Sequence, residues 1–552
     1  MPYDYKPFDY IRPLGLDQQE PRHKVLIVGA GPIGLAAALE LAAHGVPSVV
    51  LDDNNVVSVG SRAICWSKRS LEILDRLGIG GKAVDKGVTW KLGRTFHGAR
   101  EVFNFDLQPE AGHKMPAFVN LQQYYVEQYL VEACMDEPLV ELRFKNRVTG
   151  ITQTDHVRAE IETPDGPYTL EAQFLLACDG ARSPIRQMMG LDFEGVLFEE
   201  KFLIADIHMH RDFPSERWFW FEPEFHEGQS ALLHKQPDNI YRIDLQLGWD
   251  ADTEEEKKPE RIIPRIEKVV GQSAFELDWT SIYTFQCRRL SQFVHDRVIF
   301  VGDSAHIVSP FGARGGNGGL QDVDALGWRL AAVVEGRAPV ALLDRYDIER
   351  QHGADENIAN SSRATKFMSP DAGAERLFRD ATLALASKAD FARPMVNSGR
   401  LSVPCVYPLA GAPDAEGLPF VSRPGAVAPD APLAAKPSSN AVVGHSIEPS
   451  SSEAIGHSIE PSSSEAVGSE QHRWLSEALG GRMVLLCVNT PAPDGIGIEA
   501  LAPKPEEGVL AERYGAKGLY LIRPDQVVAA RWTQATAQDV MAQVAAIWEG
   551  KA

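Results

Sequence analysis

Apolar and polar positions follow two different rhythms along this chain, and the change between them divides it. Near the start, Lys24-Val25-Leu26-Ile27-Val28 is a short continuous apolar run, the pattern of a strand buried on both faces. Residues 35–44 are rich in Ala and Leu and predict a helix, with Gly45 placed to stop it. Residues 48–51 predict a second buried strand, which ends in Asp52. A helix over 120–134 and strands over 139–144 and 158–162 continue this alternation. An apolar run then stops at Asp179-Gly180.

Residues 195–290 follow the other rhythm. Tyr241-Arg242-Ile243-Asp244-Leu245-Gln246-Leu247 alternates strictly, and 218–221 and 231–234 are also strand-like. Such a pattern predicts an antiparallel sheet with one wet or ligand-facing side. After 297 the first rhythm returns: an apolar strand over 298–301, a glycine-dense run through Gly312, Gly315, Gly316, Gly318 and Gly319, and an amphipathic helix from about 320 to 334. Residues 338–400 read as helical. The partition is therefore one discontinuous α/β domain, 1–194 and 291–400, with a sheet domain, 195–290, inserted. A smaller α/β module, 401–552, follows. Within it GHSIEPSSSEAI (444–455) is repeated as GHSIEPSSSEAV (456–467). That duplication has too little apolar content for a core and reads as a flexible insertion over about 436–470.

Two glycine-rich turns carry chemistry. Gly29-Ala30-Gly31-Pro32-Ile33-Gly34 lies between the first strand and its helix, the dinucleotide-binding arrangement in its full strand–turn–helix context. Gly29 makes the tight turn, Gly31 lets the backbone reach a pyrophosphate, and Gly34 lets the helix pack close. Asp52, at the end of the next strand, is placed to accept hydrogen bonds from an adenosine ribose. The later turn, Gly302-Asp303 with its glycine run, ends at a helix start and offers outward N–H groups. An acid inside a phosphate cradle is out of place, and Asp303 suits a sugar hydroxyl better.

Composition narrows the function classes. The formal net charge is -21, from 76 acidic against 55 basic residues, which argues against sequence-independent nucleic-acid binding. No apolar run is long enough to span a bilayer, and the first residues lack a secretory signal pattern. Six scattered cysteines form no C-x-x-C and no metal-ligand spacing. They fit reduced thiols in a cytoplasmic protein.

The ordered set Gly29-x-Gly31-x-x-Gly34, Asp179-Gly180 and Gly302-Asp303 resembles the FAD-dependent aromatic hydroxylases, the single-component flavoprotein monooxygenases, over about residues 22–400. Arg423-Pro424-Gly425 and Leu521-Ile522-Arg523-Pro524-Asp525 are similar to the thioredoxin-like tail of the phenol and hydroxyphenylpropionate hydroxylase branch. The resemblance implies a Rossmann-like FAD-binding domain, an inserted antiparallel-sheet substrate domain and a thioredoxin-like C-terminal domain. It implies NADH or NADPH as electron donor, a small phenolic substrate and O2, with hydroxylation through a flavin hydroperoxide. A homodimer is compatible with the tail.

Residue by residue, Gly29, Gly31, Pro32 and Gly34 match the ADP-binding turn, and Asp52 stands where many relatives have Glu. Arg62 resembles an arginine at the AMP half of the flavin, and Gln123 a cofactor contact. Asp179 and Gly180 match the motif shared by FAD and nicotinamide. Gly302 and Asp303 match the ribityl site. Pro310, Gly315, Gly316 and Asn317 match the segment beside the isoalloxazine ring. Substrate-side candidates are Trp218, Trp220 and His234. His226, Arg242 and Gln246 are candidates for catalysis, and none is singled out as the base. Each assignment has a structural alternative: Arg62 as a surface cation, Gln123 as a helix-face polar residue, Asp179 as a turn cap, and the tryptophans as sheet core. A competing function is a non-hydroxylating FAD oxidoreductase acting on a quinone or polyene.

Overall fold

A computed structural model describes residues 3–107, 110–209, 213–226, 228–248, 250–271, 274–309, 312–370, 373–396, 403–433, 474–503 and 508–551. The continuous apolar runs form a mostly parallel sheet. Its neighbours, in order, are Val294–His295, Val298–Phe300, Gly166–Ala177, His23–Val28, Ser48–Asp52 and Val140–Phe144. All neighbouring pairs are parallel except the first. Val25, Leu26 and Ile27 have no exposed surface, because helices cover both faces of such a sheet. The covering helices include Pro32–Ala43, Gln123–Asp136 and Gly315–Val334.

The alternating strands build a second, largely antiparallel sheet. Its order is His306–Ile307, Glu276–Arg289, Glu194–His208, Ile240–Gln246, Ser230–Lys235, Arg217–Phe221, Leu92–His97 and Arg100–Asp106. The last two strands come from ahead of residue 194, so the sheet is not made by 195–290 alone. Leu92–His97 pairs in parallel with Arg217–Phe221, a long-range pairing that no local pattern announces. One face of this sheet, with Leu203, Ala205, Ile207, Leu233, Ile243 and Leu245, is buried under Ile262, Ile266 and Val270 of helix Pro259–Val270.

Helix Gly315–Val334 begins five residues earlier than its apolar pattern suggests and takes the glycines into its first turns. Glycine is a poor helix former, but bulk is excluded here: a Cβ on Gly319 would lie 2.7 Å from Ile33 Cδ1.

The C-terminal module is a four-stranded mixed sheet in the order Glu499–Leu501, Val484–Val488, Gly518–Ile522, Val528–Trp532. One face packs on helix Ala537–Trp548 and on Trp328 and Leu342 of the preceding part. The other packs on Leu475, Leu479, Leu510 and Tyr514. A buried ion cluster joins the module to the rest. Glu349 accepts from Arg523 at 2.8 and 2.9 Å and from Arg329 at 2.9 Å. Arg523 also donates to Asp525 at 2.6 Å, and Arg69 reaches Asp324 at 2.6 Å and the Asp525 carbonyl at 2.8 Å. The duplicated segment lies outside the described residues. Among the described residues no helix is long and apolar enough to cross a membrane.

Candidate functional site

Four adjacent strands of the parallel sheet end at one edge, and the three motifs sit on those ends. Val28 is in register with Ala177 and Leu51, and Ala177 with Phe300. Gly29, Asp52, Asp179 and Gly302-Asp303 therefore stand side by side at the carboxyl ends of parallel strands, where open α/β sheets bind ligands.

The first turn is shaped by steric need. Gly29 has φ +106°, and a Cβ there would meet the Cys178 carbonyl at 2.5 Å. A Cβ on Gly34 would sit 1.9 Å from the Gly29 carbonyl oxygen. Gly31 faces open space, with nothing within 4 Å of its would-be Cβ. Pro32 opens the helix, where its missing N–H costs nothing. The helix N-terminus thus faces open space, an arrangement that suits an anion. Asp52 braces the turn from the next strand, accepting from Ala30 N at 2.6 Å and Asn54 N at 2.8 Å.

The third turn leaves its acid available. Asp303 is exposed and makes no hydrogen bond to another described residue. Although the residue is exposed, crowding by the surrounding chain desolvates its carboxyl and pushes it up, with Asp322 adding to the effect and His306 opposing it. Behind it, Asp322 accepts from Gly302 N at 2.9 Å, from Arg350 Nε at 2.5 Å and pairs with His306 Nε2 at 2.7 Å. Asp322 was legible only as an acid among apolar helix positions, and Arg350 carried no signal. Asp179 accepts from Ile185 N at 3.0 Å through one oxygen, while its Oδ1 is buried without a partner. Gly180 beside it faces open space.

Several expected contacts have other employment. The Asn317 amide is consumed internally, accepting from Ser67 N at 2.9 Å and donating to the Cys65 carbonyl at 2.9 Å and to Ala313. Gln123 braces the 58–63 loop, accepting from Ala63 N at 3.2 Å and donating to Glu127 at 2.6 Å. Arg62, carried on that loop, has an exposed side chain that makes no hydrogen bond or ion pair with any described residue. Gly315 and Gly316 open the helix, the first facing Asp303 and the second Trp66 and Ala63. Pro310 lies outside the described residues.

Residues 22–361 match the family model described as FAD binding domain. The chain belongs to this family. The chain is similar to 3-(3-hydroxy-phenyl)propionate/3-hydroxycinnamic acid hydroxylase of Mycolicibacterium gilvum (strain PYR-GCK), 29% identical over 370 residues, which are 66% of this chain and 63% of that protein. The chain thus matches less than two thirds of that relative's length. Para-nitrophenol 4-monooxygenase of Pseudomonas sp. (strain WBC-3) is 28% identical over 59% of this chain and 82% of its own. The crystal structure of p-nitrophenol 4-monooxygenase from Pseudomonas putida DLL-E4 superposes with a TM-score of 0.61 at 26% identity, over 69% of this chain and 98% of that one. A flavin-dependent monooxygenase in complex with FAD and substrate shares the fold over 97% of this chain and 100% of its own, with a TM-score of 0.75 at 20% identity. The FAD binding domain family fits the residues present: open space in front of Gly31 at a helix N-terminus, and on the same edge the Asp303 carboxylate, which has no hydrogen bond to any described residue.

Beside this edge lies the second sheet's other face. In register across it run Arg217, His234, Arg242, Asp206 and Trp279. Arg242 donates to Asp206 at 3.1 Å, to the Arg62 carbonyl at 2.6 Å and to Ser61, so it locks the sheet to the 61–62 loop. His234 is 5% exposed and its Nδ1 has no partner. Burial, with Arg217 and Arg242 nearby, holds its ring well below the usual histidine range, hence neutral.

The tryptophans and His226 need correction. Trp218 and Trp220 point to the opposite, helix-covered face, where Trp220 stacks on Phe96 at 5.4 Å. Alternation separates two faces but does not say which one a distant helix will cover. His226 pairs with the Gln246 carbonyl at 2.6 Å, and the positive charges felt by its ring are Arg265 and Lys268 of the covering helix. Gln246 is on the inner face, but its amide is engaged by Ser230 N at 2.9 Å and Ser369 Oγ at 2.6 Å. Sequence reading missed Asp206, Arg217 and Asp244 as members of the inner face.

Proposed function

We propose that this chain is an FAD-dependent monooxygenase that hydroxylates a phenolic ring with NADH or NADPH as electron donor. The observation that carries the reading is the juxtaposition of the motif-bearing sheet edge with a polar, partly unsatisfied sheet face, joined through Arg242 and the 61–62 loop. The relatives named for hydroxyphenylpropionate and nitrophenol support it.

The residues divide the work. The Gly29–Gly34 turn and its helix N-terminus would hold the pyrophosphate, Asp52 the ribose, and Asp303 the ribityl hydroxyls. N–H groups at the start of helix Gly315–Val334 would face the reactive ring, where a helix N-terminus favours negative charge. When bound and reduced, the flavin supplies the activation of dioxygen. The protein's part is to place the phenol, keep water out and manage its proton. His234, neutral and buried, offers one ring nitrogen as acceptor and the other as donor. It is the group best placed to take the phenolic proton.

The C-terminal module has no C-x-x-C, and Cys487 is buried within a strand. We read it as a thioredoxin-like structural domain without thiol redox chemistry. The cytoplasmic location and a homodimer belong to the same proposal. The six free thiols suit a reducing compartment, and a solution mass measurement tests the dimer.

Purified protein should be yellow with a flavin spectrum. It should consume NAD(P)H and oxygen faster when the right phenol is added. Retained flavin with no stimulation by any phenol in a broad panel would sink the hydroxylase reading and favour a quinone or polyene oxidoreductase.

A further inference from the structure

One buried arginine joins the later glycine-rich turn to the C-terminal module. Arg350, on helix Leu342–Met368, has no exposed surface, and its three nitrogens go to three different places. Nε donates to Asp322 Oδ1 at 2.5 Å, Nη2 to the Gly318 carbonyl at 3.2 Å, and Nη1 to the Tyr407 hydroxyl at 2.7 Å. Through its other oxygen Asp322 accepts from Gly302 N at 2.9 Å and meets His306 Nε2 at 2.7 Å. One path of hydrogen bonds therefore runs from Tyr407 through Arg350 to Gly302, the residue before Asp303. A branch of it reaches Gly318, in the first turns of helix Gly315–Val334.

Both ends of the path are fixed by packing. Gly302 takes φ +67°, and a Cβ there would lie 3.2 Å from the Ile33 side chain, in the first glycine motif. The N–H that Asp322 holds thus belongs to a turn seated on the other turn. At the far end, Tyr407 N donates to the Gly425 carbonyl at 3.0 Å, and its ring is buried with Val527. Two guanidiniums approach that ring, Arg523 at 5.8 Å and Arg350 at 6.0 Å from the centroid. Arg523 is the arginine of the Glu349 cluster. A buried guanidinium needs its donors satisfied, and among the described residues Arg350 Nη1 has the phenolic oxygen as its partner. Phenylalanine would fill the same space and leave that donor unpaired.

Resting on the flavin-site reading above, we propose that Tyr407 is a positioning residue for the cofactor: its hydroxyl fixes Arg350, Arg350 fixes Asp322 and the Gly318 carbonyl, and the Gly302-Asp303 turn is thereby held in the shape that receives flavin. The C-terminal module is then part of the cofactor site without touching the cofactor. A site keeps its geometry only while the hydrogen bonds supporting it are complete. A tyrosine that served stability alone would stabilise apo-protein and holo-protein equally, and FAD affinity would not register its hydroxyl.

The test titrates apo-protein with FAD and reads the dissociation constant from flavin fluorescence, with the visible circular dichroism of the bound flavin as a second signal. Tyr407→Phe should bind FAD about tenfold more weakly, as for one buried donor left unpaired, and should change the visible dichroism. Asp322→Asn should bind more weakly still. Because the hydroxyl acts through Asp322, the double variant should bind no more weakly than Asp322→Asn alone. Urea unfolding of the apo-proteins establishes that each variant folds, and Arg350→Lys replaces Asp322→Asn in the cycle if that variant does not. Unchanged FAD affinity or unchanged dichroism in Tyr407→Phe overturns the proposal, whatever the loss of apo-protein stability. Losses that add in the double variant also overturn it, because the two residues would then act independently. Loss of FAD in Asp303→Ala with normal binding in Tyr407→Phe leaves the site reading standing and removes Tyr407 from it. Full binding in Asp303→Ala with weakened, non-additive binding in the Tyr407 cycle defeats the ribityl role of Asp303 and leaves the path from Tyr407 standing.

Discussion

Asp244 gives the sharpest quantitative prediction. Its carboxyl is pushed up from 3.8 to about 6, first by burial, with Asp206 adding to the effect and Arg242 and Arg217 opposing it. The folded protein therefore holds a proton on this side chain in a window where the unfolded chain has released it. Stability contributed by the protonated form is complete below the unfolded value and is lost as pH rises through about 6. Two units of difference at about 1.4 kcal/mol each give about 3 kcal/mol, and partial exposure of the side chain reduces this to about 2–3 kcal/mol. Asp244→Asn removes the titration and keeps the shape. Urea unfolding of the variant and the wild type, both saturated with FAD so that ligand linkage cancels, should show a growing gap. The variant should gain about 2–3 kcal/mol relative to wild type between about pH 4 and pH 8. A gap that is flat or that shrinks with pH would refute the placement of Asp244 as an unpaired buried acid.

Three further outcomes follow from the same geometry. Asp303→Ala should lose flavin on gel filtration while its circular dichroism is unchanged; stoichiometric flavin in that variant would remove Asp303 from the cofactor site. Trp220→Ala should cost about 3–5 kcal/mol in unfolding free energy with phenol KM unaltered, because the ring packs under the covering helix; a KM change without destabilisation would return it to the pocket. Glu349→Gln leaves Arg523 and Arg329 buried with one fewer carboxylate and should cost about 3–5 kcal/mol, read by denaturation with a C-terminal tryptophan signal from Trp532 or Trp548.

The parallel sheet was legible because its strands are buried on both faces. That condition writes a continuous apolar run, such as 24–28, ending in a turn that only glycine fits. The G-x-G-x-x-G turn was equally legible, since Gly29 and Gly34 answer to contacts within a few residues and with the adjoining strand. The substrate face was half legible. Alternation in 241–247 divides Arg242, Asp244 and Gln246 from Tyr241, Ile243 and Leu245, as the structure has it. What it lacks is which face is roofed, because the roofing helix, Pro259–Val270, packs by tertiary contact. The two tryptophans were misplaced for that reason. Strands Leu92–His97 and Arg100–Asp106 escaped assignment to the second sheet because their pairing crosses more than a hundred residues. The early start of helix Gly315–Val334 was hidden by glycine's low propensity, which close packing against Ile33 overrides.

Hydroxylation at the motif-bearing sheet edge would place one oxygen atom from O2 in a phenolic ring. Mass spectrometry of the product formed under 18O2, with NAD(P)H and the phenol that stimulates oxygen uptake, tests it directly. A hydroxylated product carrying a single 18O is expected. NAD(P)H oxidation that yields a reduced quinone or an unlabelled product would contradict it.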